Sequence, residues 1–107
     1  MRKLLALATF IAAVLAIASI AMAASTQSTT LKDDHFTKSK LTISKGTTVK
    51  WTWHTKDMHT VTELNGKWGS KGPTKKGSFK HKFAKKGTFT VYCVVHPVEM
   101  RQKIVVK

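Results

Sequence analysis

Short runs of alternating apolar and polar residues dominate the chain from about residue 41 onwards. In five such runs every second residue is apolar, apart from one histidine and one cysteine. The alternating residues are Leu41 and Ile43; Val49, Trp51 and Trp53; Phe79, His81 and Phe83; Phe89, Val91 and Cys93; Ile104 and Val106. A period of two is typical of half-buried β-strands, and no helical period interrupts it. Turn residues bound the runs, at Gly46, Asn65-Gly66, Gly72-Pro73, Gly77 and Gly87. The pattern predicts one all-β domain, an antiparallel sandwich or small barrel without internal repeats.

The N-terminal segment has a different pattern. Arg2 and Lys3 precede an almost wholly apolar run from Leu4 to Ile20, and Ala21-Met22-Ala23 follows it. A short basic region, an apolar stretch and small residues at a cleavage point are typical of a secretory signal peptide. The apolar run also approaches the ~20 residues that a membrane helix needs, so an uncleaved anchor is the alternative. We predict a signal peptide at 1–23, a flexible lead or first strand at 24–32, and a folded domain at 33–107 in the periplasm or outside the cell.

Charge is the next outstanding feature. The 107-residue chain has a net charge of +14, and without Arg2 and Lys3 the 17 remaining basic residues against five acidic ones leave +12. Such a field speeds encounters with anionic surfaces and weakens as salt is added. Export argues against nucleic acid as the partner. We expect a monomer whose redox partners have an acidic docking surface, and an anionic membrane surface is a further candidate partner. The simpler interpretation of the high charge is that it only keeps the protein soluble.

The only cysteine, Cys93, lies in the run Val91-Tyr92-Cys93-Val94-Val95-His96-Pro97-Val98-Glu99-Met100. An exported chain with one cysteine cannot form an intramolecular disulfide, so a bound metal is a reasonable occupant for the thiol. Two imidazoles, one thiolate and a weak thioether are the donors of a blue-copper centre. Cys93, His96 and Met100 supply three of these donors, and His59 is the best-placed second imidazole.

Strand parity and loop signals suggest how these donors meet. Cys93 shares a face with Phe89 and Val91, so its thiol should point into the core. Pro97 cannot donate to a strand ladder, which predicts a loop over 94–100 that folds back over the metal before a closing strand at 102–106. His59 is expected at the start of another strand.

Other histidines, tryptophans and methionines have simpler interpretations. His35 and His54 have polar neighbours and are expected at the surface. His81 lies between two phenylalanines on an apolar face, which favours a core histidine over a ligand. Met58 should point away from the face of His59. Trp51 and Trp53 are expected in the core, whereas Trp68 has no assignment.

Several motifs between about Phe36 and Val106 resemble the cupredoxin family of small type 1 copper proteins, which includes plastocyanin, amicyanin and pseudoazurin. They are Gly46-Thr47-Thr48-Val49-x-Trp51, His59-Thr60-Val61, Gly77-Ser78-Phe79, Gly87-Thr88-Phe89, Tyr92-Cys93-x2-His96-Pro97 and Ile104-Val105-Val106. The resemblance implies a Greek-key β-sandwich of about seven or eight strands with one copper ion, held by the residues that match the family's ligands: His59, Cys93, His96 and Met100.

The resemblance also implies an electron carrier that cycles Cu(II)/Cu(I) by outer-sphere transfer, rather than an enzyme. His96 would have an exposed edge beside Pro97 and Val98 as the electron exit, with Thr60 and backbone amides such as that of Val95 supporting the ligands. Copper sequestration or delivery is the alternative function, and a structural adhesion module is a more distant one. Three residues separate His96 from Met100, where amicyanin-like loops have two and plastocyanin-like loops four.

Overall fold

The computed structural model describes residues 25–107, which form seven β-strands and no helix. The predicted signal peptide at 1–23 lies outside the described residues. Among those described, no helix is long and apolar enough to cross a membrane. The strands are β1 Thr26–Thr30, β2 Lys40–Ile43, β3 Thr48–His59, β4 Thr62–Glu63, β5 Thr74–Lys82, β6 Gly87–Tyr92 and β7 Arg101–Val106.

Two sheets pack into a sandwich. One has the order β1-β3-β5 and the other β2-β7-β6-β4, so the predicted all-β sandwich is confirmed. The expectation of a purely antiparallel arrangement is wrong, because β1 runs parallel to β3 and β2 runs parallel to β7. Between β1 and β3 the chain crosses to the second sheet, where it forms β2, and then crosses back. β3 therefore runs in the same direction as β1. Residues 26–30 are thus an integral strand of the first sheet.

The alternating residues point inward as the pattern predicts. The fully buried side chains include Val49, Trp51, Val91, Cys93 and Ile104, which come from both sheets. A buried polar contact also joins the sheets: Trp51 Nε1 on β3 donates to Gln102 Oε1 on β7 at 2.8 Å. Gln102 Nε2 in turn donates to the carbonyl of Lys38 at 2.8 Å, so both ends of the amide are satisfied. The sequence pattern gives no sign of this pair.

The indole ring of Trp53 packs against Gly77 on the neighbouring strand. The register of β3 against β5 sets Trp53 opposite Gly77. A Cβ at position 77 would lie 2.3 Å from the Trp53 ring, so only glycine lets the indole lie flat there. Trp53 Nε1 donates to the carbonyl of Thr74 at 2.9 Å, which fixes the ring. Trp51 and Trp53 are both buried, as expected.

Two strand ends determine where the chemistry lies. β3 continues to His59, with a register shift against β5 between His54 and His59. His59 therefore ends a long strand; the expectation that it begins the next one is wrong, since β4 starts only at Thr62. Polar residues from His54 to Asp57 hide this extension from pattern analysis. β6 ends one residue before Cys93, in the opposite sheet.

Candidate metal centre

His59, Cys93 and His96 come together at one end of the sandwich. The Sγ of Cys93 lies 3.7 Å from Nδ1 of His59 and 4.0 Å from Nδ1 of His96. The ligand atoms of the three residues all lie within 4.8 Å of one another, and the two imidazole centroids are 5.2 Å apart. His59 and Cys93 are completely buried, and His96 is half-buried. Three donors thus converge from two sheets and one loop.

These separations suit one metal ion between the three atoms. With the bond lengths that zinc makes to the same donors, about 2.0–2.1 Å to nitrogen and about 2.3 Å to sulfur, a trigonal arrangement gives sulfur-to-nitrogen separations of about 3.7–3.8 Å. The observed values of 3.7 and 4.0 Å lie close to that range. A thiolate with two imidazoles is the trigonal donor set of a type 1 copper site. The residues present therefore fit copper in both donor type and spacing.

The loop between β6 and β7 owes its shape to backbone hydrogen bonds. Cys93 N donates to the carbonyl of Met100 at 3.1 Å, which closes the loop at its base. His96 N donates to the carbonyl of Cys93 at 3.2 Å, and Met100 N donates to the carbonyl of His96 at 3.0 Å. The backbones of Cys93, His96 and Met100 are thus joined to one another by these three hydrogen bonds. The predicted loop over 94–100 is confirmed, since no strand is present between Tyr92 and Arg101.

The sulfur of Cys93 accepts a hydrogen bond from a neighbouring strand end. Thr60 N donates to Sγ at 3.4 Å, and Thr60 Oγ1 accepts from Val94 N at 3.0 Å. Thr60 thereby fixes the thiol of Cys93 and the residue after it relative to His59. Val95 N makes no hydrogen bond to Sγ within the described part of the chain. The backbone amide that donates to the sulfur is that of Thr60, which directly follows His59 at the end of β3.

A carboxylate lies behind His59. Nε2 of His59 is buried without a hydrogen-bond partner among the described residues, and the nearest anionic atom is Oδ1 of Asp33 at 3.7 Å. The same oxygen accepts from Lys56 N and Asp57 N, both at 3.0 Å. The backbone N–H of Asp57, followed by that of Lys56, lowers the pKa of Asp33 below its ordinary value and keeps it ionised. Since Nδ1 faces Cys93, Nε2 is the ring nitrogen of His59 that faces this carboxylate.

Met100 is completely buried and belongs to the same packed cluster as Cys93. Its backbone bonds to Cys93 and His96 hold it at the base of the loop. Met58, in contrast, is 49% exposed, as expected from its parity against His59. Met100 is therefore the methionine placed on the inner side of the loop.

The remaining residues singled out in the sequence are not part of the cluster of His59, Cys93 and His96. His35 and His54 are exposed, as expected. His81 is half-buried and stacks on Trp68, with the ring centroids 3.8 Å apart. Pro97 and Val98 are exposed beside His96. Asp33 is the one residue of this region that sequence reasoning missed, since it stands 26 positions before His59 and in no recognisable motif.

Comparisons with known proteins agree with this fold. No family model matches the chain, and no curated protein matches it. Among solved structures, a purple cupredoxin from Nitrosopumilus maritimus is similar at 24% identity and a TM-score of 0.65, covering 76% of this chain and 99% of that one. A mutant of amicyanin in the Cu(I) state is similar at 25% identity and a TM-score of 0.65, covering 77% and 82%. Amicyanin from Paracoccus versutus is similar at 19% identity and a TM-score of 0.59, covering 77% and 81%.

The fold agrees with these comparisons. So do the positions of His59 and Cys93 at strand ends and of His96 in the loop that follows. The chain has the cupredoxin fold and resembles the small type 1 copper proteins, with His59, Cys93 and His96 forming a cluster that fits their copper site.

Proposed function

We propose that the protein is an exported single-electron carrier with one type 1 copper ion, held by His59, Cys93, His96 and, more weakly, Met100. The observation that carries the proposal is the convergence of two Nδ1 atoms on one buried thiol. Copper bound there supplies a centre that takes up and releases one electron. The protein's partners are other redox proteins, and its place is the periplasm or the cell exterior.

The chain's own residues limit rearrangement between the two oxidation states. Three ligand side chains stand on elements fixed by backbone hydrogen bonds, and Thr60 holds both the sulfur and the start of the loop. A preformed site costs little reorganisation when charge changes, which favours fast outer-sphere transfer. Buried His59 and Met100 keep water from the inner side of the site. This arrangement suits a carrier better than an enzyme, which needs a position open to substrate.

The half-buried His96 is the proposed exit for electrons. Exposed apolar side chains are concentrated on the segments that carry the ligands: Met58, Val94, Val95 and Val98. Val98 is 78% exposed, which is unusual for an apolar residue unless a partner covers it. A small apolar contact of this kind suits brief complexes between redox proteins.

Visible spectroscopy and voltammetry test this function. The segment 24–107 loaded with Cu(II) should show an intense thiolate-to-copper charge-transfer band and a reversible one-electron wave. Cys93→Ser and His59→Ala should each lose the band, whereas His54→Ala, which changes an exposed histidine on the same strand, should keep it. The alternative, copper sequestration or delivery, predicts that the protein holds Cu(I) but shows neither a stable Cu(II) form nor a reversible wave.

A further inference from the structure

The end of the sandwich opposite the metal cluster carries a concentrated positive charge. Five exposed lysines lie there, and we call this surface the basic pole: Lys45, Lys82, Lys85, Lys86 and Lys107. Its position follows from the strand register, in which Gly87 pairs with Val106 and Thr48 with Lys82. Along β6, the six residue steps from Gly87 to Cys93 correspond to about 20 Å.

Backbone hydrogen bonds hold these lysines in one surface. Lys45 N donates to the carbonyl of Lys107 at 2.9 Å, and Lys107 N donates to the carbonyl of Ile43 at 2.9 Å. Gly46 N donates to the carbonyl of Phe83 at 2.7 Å, which joins the β2–β3 turn to the loop that carries Lys85 and Lys86. These bonds keep the backbone positions of the turn, the loop and Lys107 close together.

Acidic residues are absent from this pole within residues 25–107, and none of its lysines forms an ion pair there. Four of the five acids belong to the metal end: Asp33 behind His59, its neighbour Asp34, Asp57 near the end of β3, and Glu99 in the ligand loop. The fifth, Glu63, is buried on β4. A carboxylate at Lys107 would offset only one of the five charges. Like charges held together favour an anionic surface as the counterpart.

The path of the chain indicates which anionic surface it is. Thr48 N donates to the carbonyl of Ser25 at 3.0 Å, and the hydroxyls of Ser25 and Thr47 are 3.1 Å apart. The described chain therefore begins at the basic pole, and the sequence before it contains the apolar run from Leu4 to Ile20. A basic surface beside the attachment point of such a run suits an anionic lipid layer.

We propose that the basic pole binds the headgroup layer of an anionic membrane, so that the metal end faces away from the lipid. The exposed apolar residues around His96 then remain accessible to a partner. Retention of the N-terminal segment strengthens this binding, and its removal leaves a reversible electrostatic contact. The inference goes beyond the proposed function, because lipid binding needs no copper.

Vesicle sedimentation of the copper-free segment 24–107 tests the proposal, since all seven strands and the core cluster lie within it. The segment should bind vesicles of phosphatidylcholine with about one third phosphatidylglycerol at low salt, and it should not bind phosphatidylcholine alone. Each lysine near an anionic surface contributes about fivefold to binding. The triple variant Lys45→Gln, Lys85→Gln, Lys86→Gln should therefore bind about 100-fold more weakly.

The matched control is Lys56→Gln, Lys75→Gln, Lys76→Gln, which removes the same charge from exposed lysines at the metal half. It should bind nearly as well as the unmodified segment, and thermal unfolding verifies that each variant is folded. Equal losses in the two triple variants would overturn the proposal in favour of net charge alone. Binding to poly-L-glutamate without binding to vesicles would overturn it in favour of an acidic protein.

Discussion

At the scale of single residues, Asp33 is the most informative contact of the site. Its Oδ1 lies 3.7 Å from Nε2 of His59 and is held by two backbone N–H groups. A negative charge near an imidazole that binds copper favours the higher charge of Cu(II) over that of Cu(I). Asp33 is therefore expected to act on the proposed site through its charge.

Asp33→Asn should weaken Cu(II) binding about tenfold and raise the reduction potential, because the amide keeps the backbone contacts but loses the charge. Competitive chelation and voltammetry measure the two effects. Asp34→Asn is the matched control, since Asp34 contacts His35 at 2.7 Å instead of a proposed ligand. If both variants behave like the unmodified protein, Asp33 has no influence on the site.

Met100 gives a second prediction at this scale. Met100→Leu removes the sulfur but keeps most of the buried volume, so the fold should persist. The reduction potential and the visible spectrum should both change, because the axial donor tunes such sites. Met58→Leu, at an exposed methionine, should change neither. Unchanged properties in Met100→Leu would show that Met100 only fills the core.

At the scale of elements, the pairing of β3 with β5 depends on one glycine. Gly77→Ala places a methyl group within 2.3 Å of the Trp53 ring and should lower the free energy of unfolding by about 1–3 kcal/mol. Gly72→Ala, where no heavy atom lies within 4 Å, should change it by less than about 0.5 kcal/mol. Urea unfolding of the copper-free protein measures both; equal stabilities would contradict the close contact.

His81 on β5 should give stability a dependence on pH. Burial lowers the pKa of His81, which stacks on Trp68, so the unfolded chain takes up this proton more readily than the folded one. The stability due to neutral His81 is present above the unfolded pKa of about 6.5 and is lost as pH falls towards the lower folded pKa.

Replacing His81 by Phe should therefore flatten the decline in unfolding free energy as pH falls below about 6.5. Urea titrations of the two copper-free proteins measure the difference at each pH, and the histidines that both share cancel. His54→Phe serves as the control at an exposed position of the same sheet. A difference between His81→Phe and the unmodified protein that stays constant with pH would refute this role.

At the scale of the whole molecule, charge should govern encounter. With a net charge of +12 for residues 24–107, oxidation of the copper-loaded protein by hexacyanoferrate(III) should slow severalfold as the Debye length shrinks from about 30 to 8 Å. A cationic cobalt(III) oxidant should show the opposite trend, because it is repelled. Stopped-flow experiments measure the oxidation rate of each reagent as a function of ionic strength. Rates that do not change with ionic strength would contradict an electrostatic role for the net charge.

Much of the fold was predictable because it follows from local patterns. Alternation from Val49 to Trp53 and from Phe89 to Cys93 indicates buried strand faces, and these residues are buried except for Phe89, which is partly buried. Pairing direction was not predictable, since parallel contacts such as β1 with β3 depend on how the chain crosses between sheets. The register shift before His59 was also hidden, because the residues there are polar and give no period.

The side chains available for binding and docking can be read from the sequence: one thiol, a nearby imidazole and thioether, an all-β pattern and an excess of lysine. Which of these atoms meet depends on the packing of the two sheets. It brings His59 to Cys93 across 34 positions, supplies the amide of Thr60 to the sulfur, places Asp33 behind an imidazole and separates the lysines of the basic pole from the acids of the metal end. The reason is physical, since donor types are properties of single side chains, whereas distances between them arise only when two sheets pack.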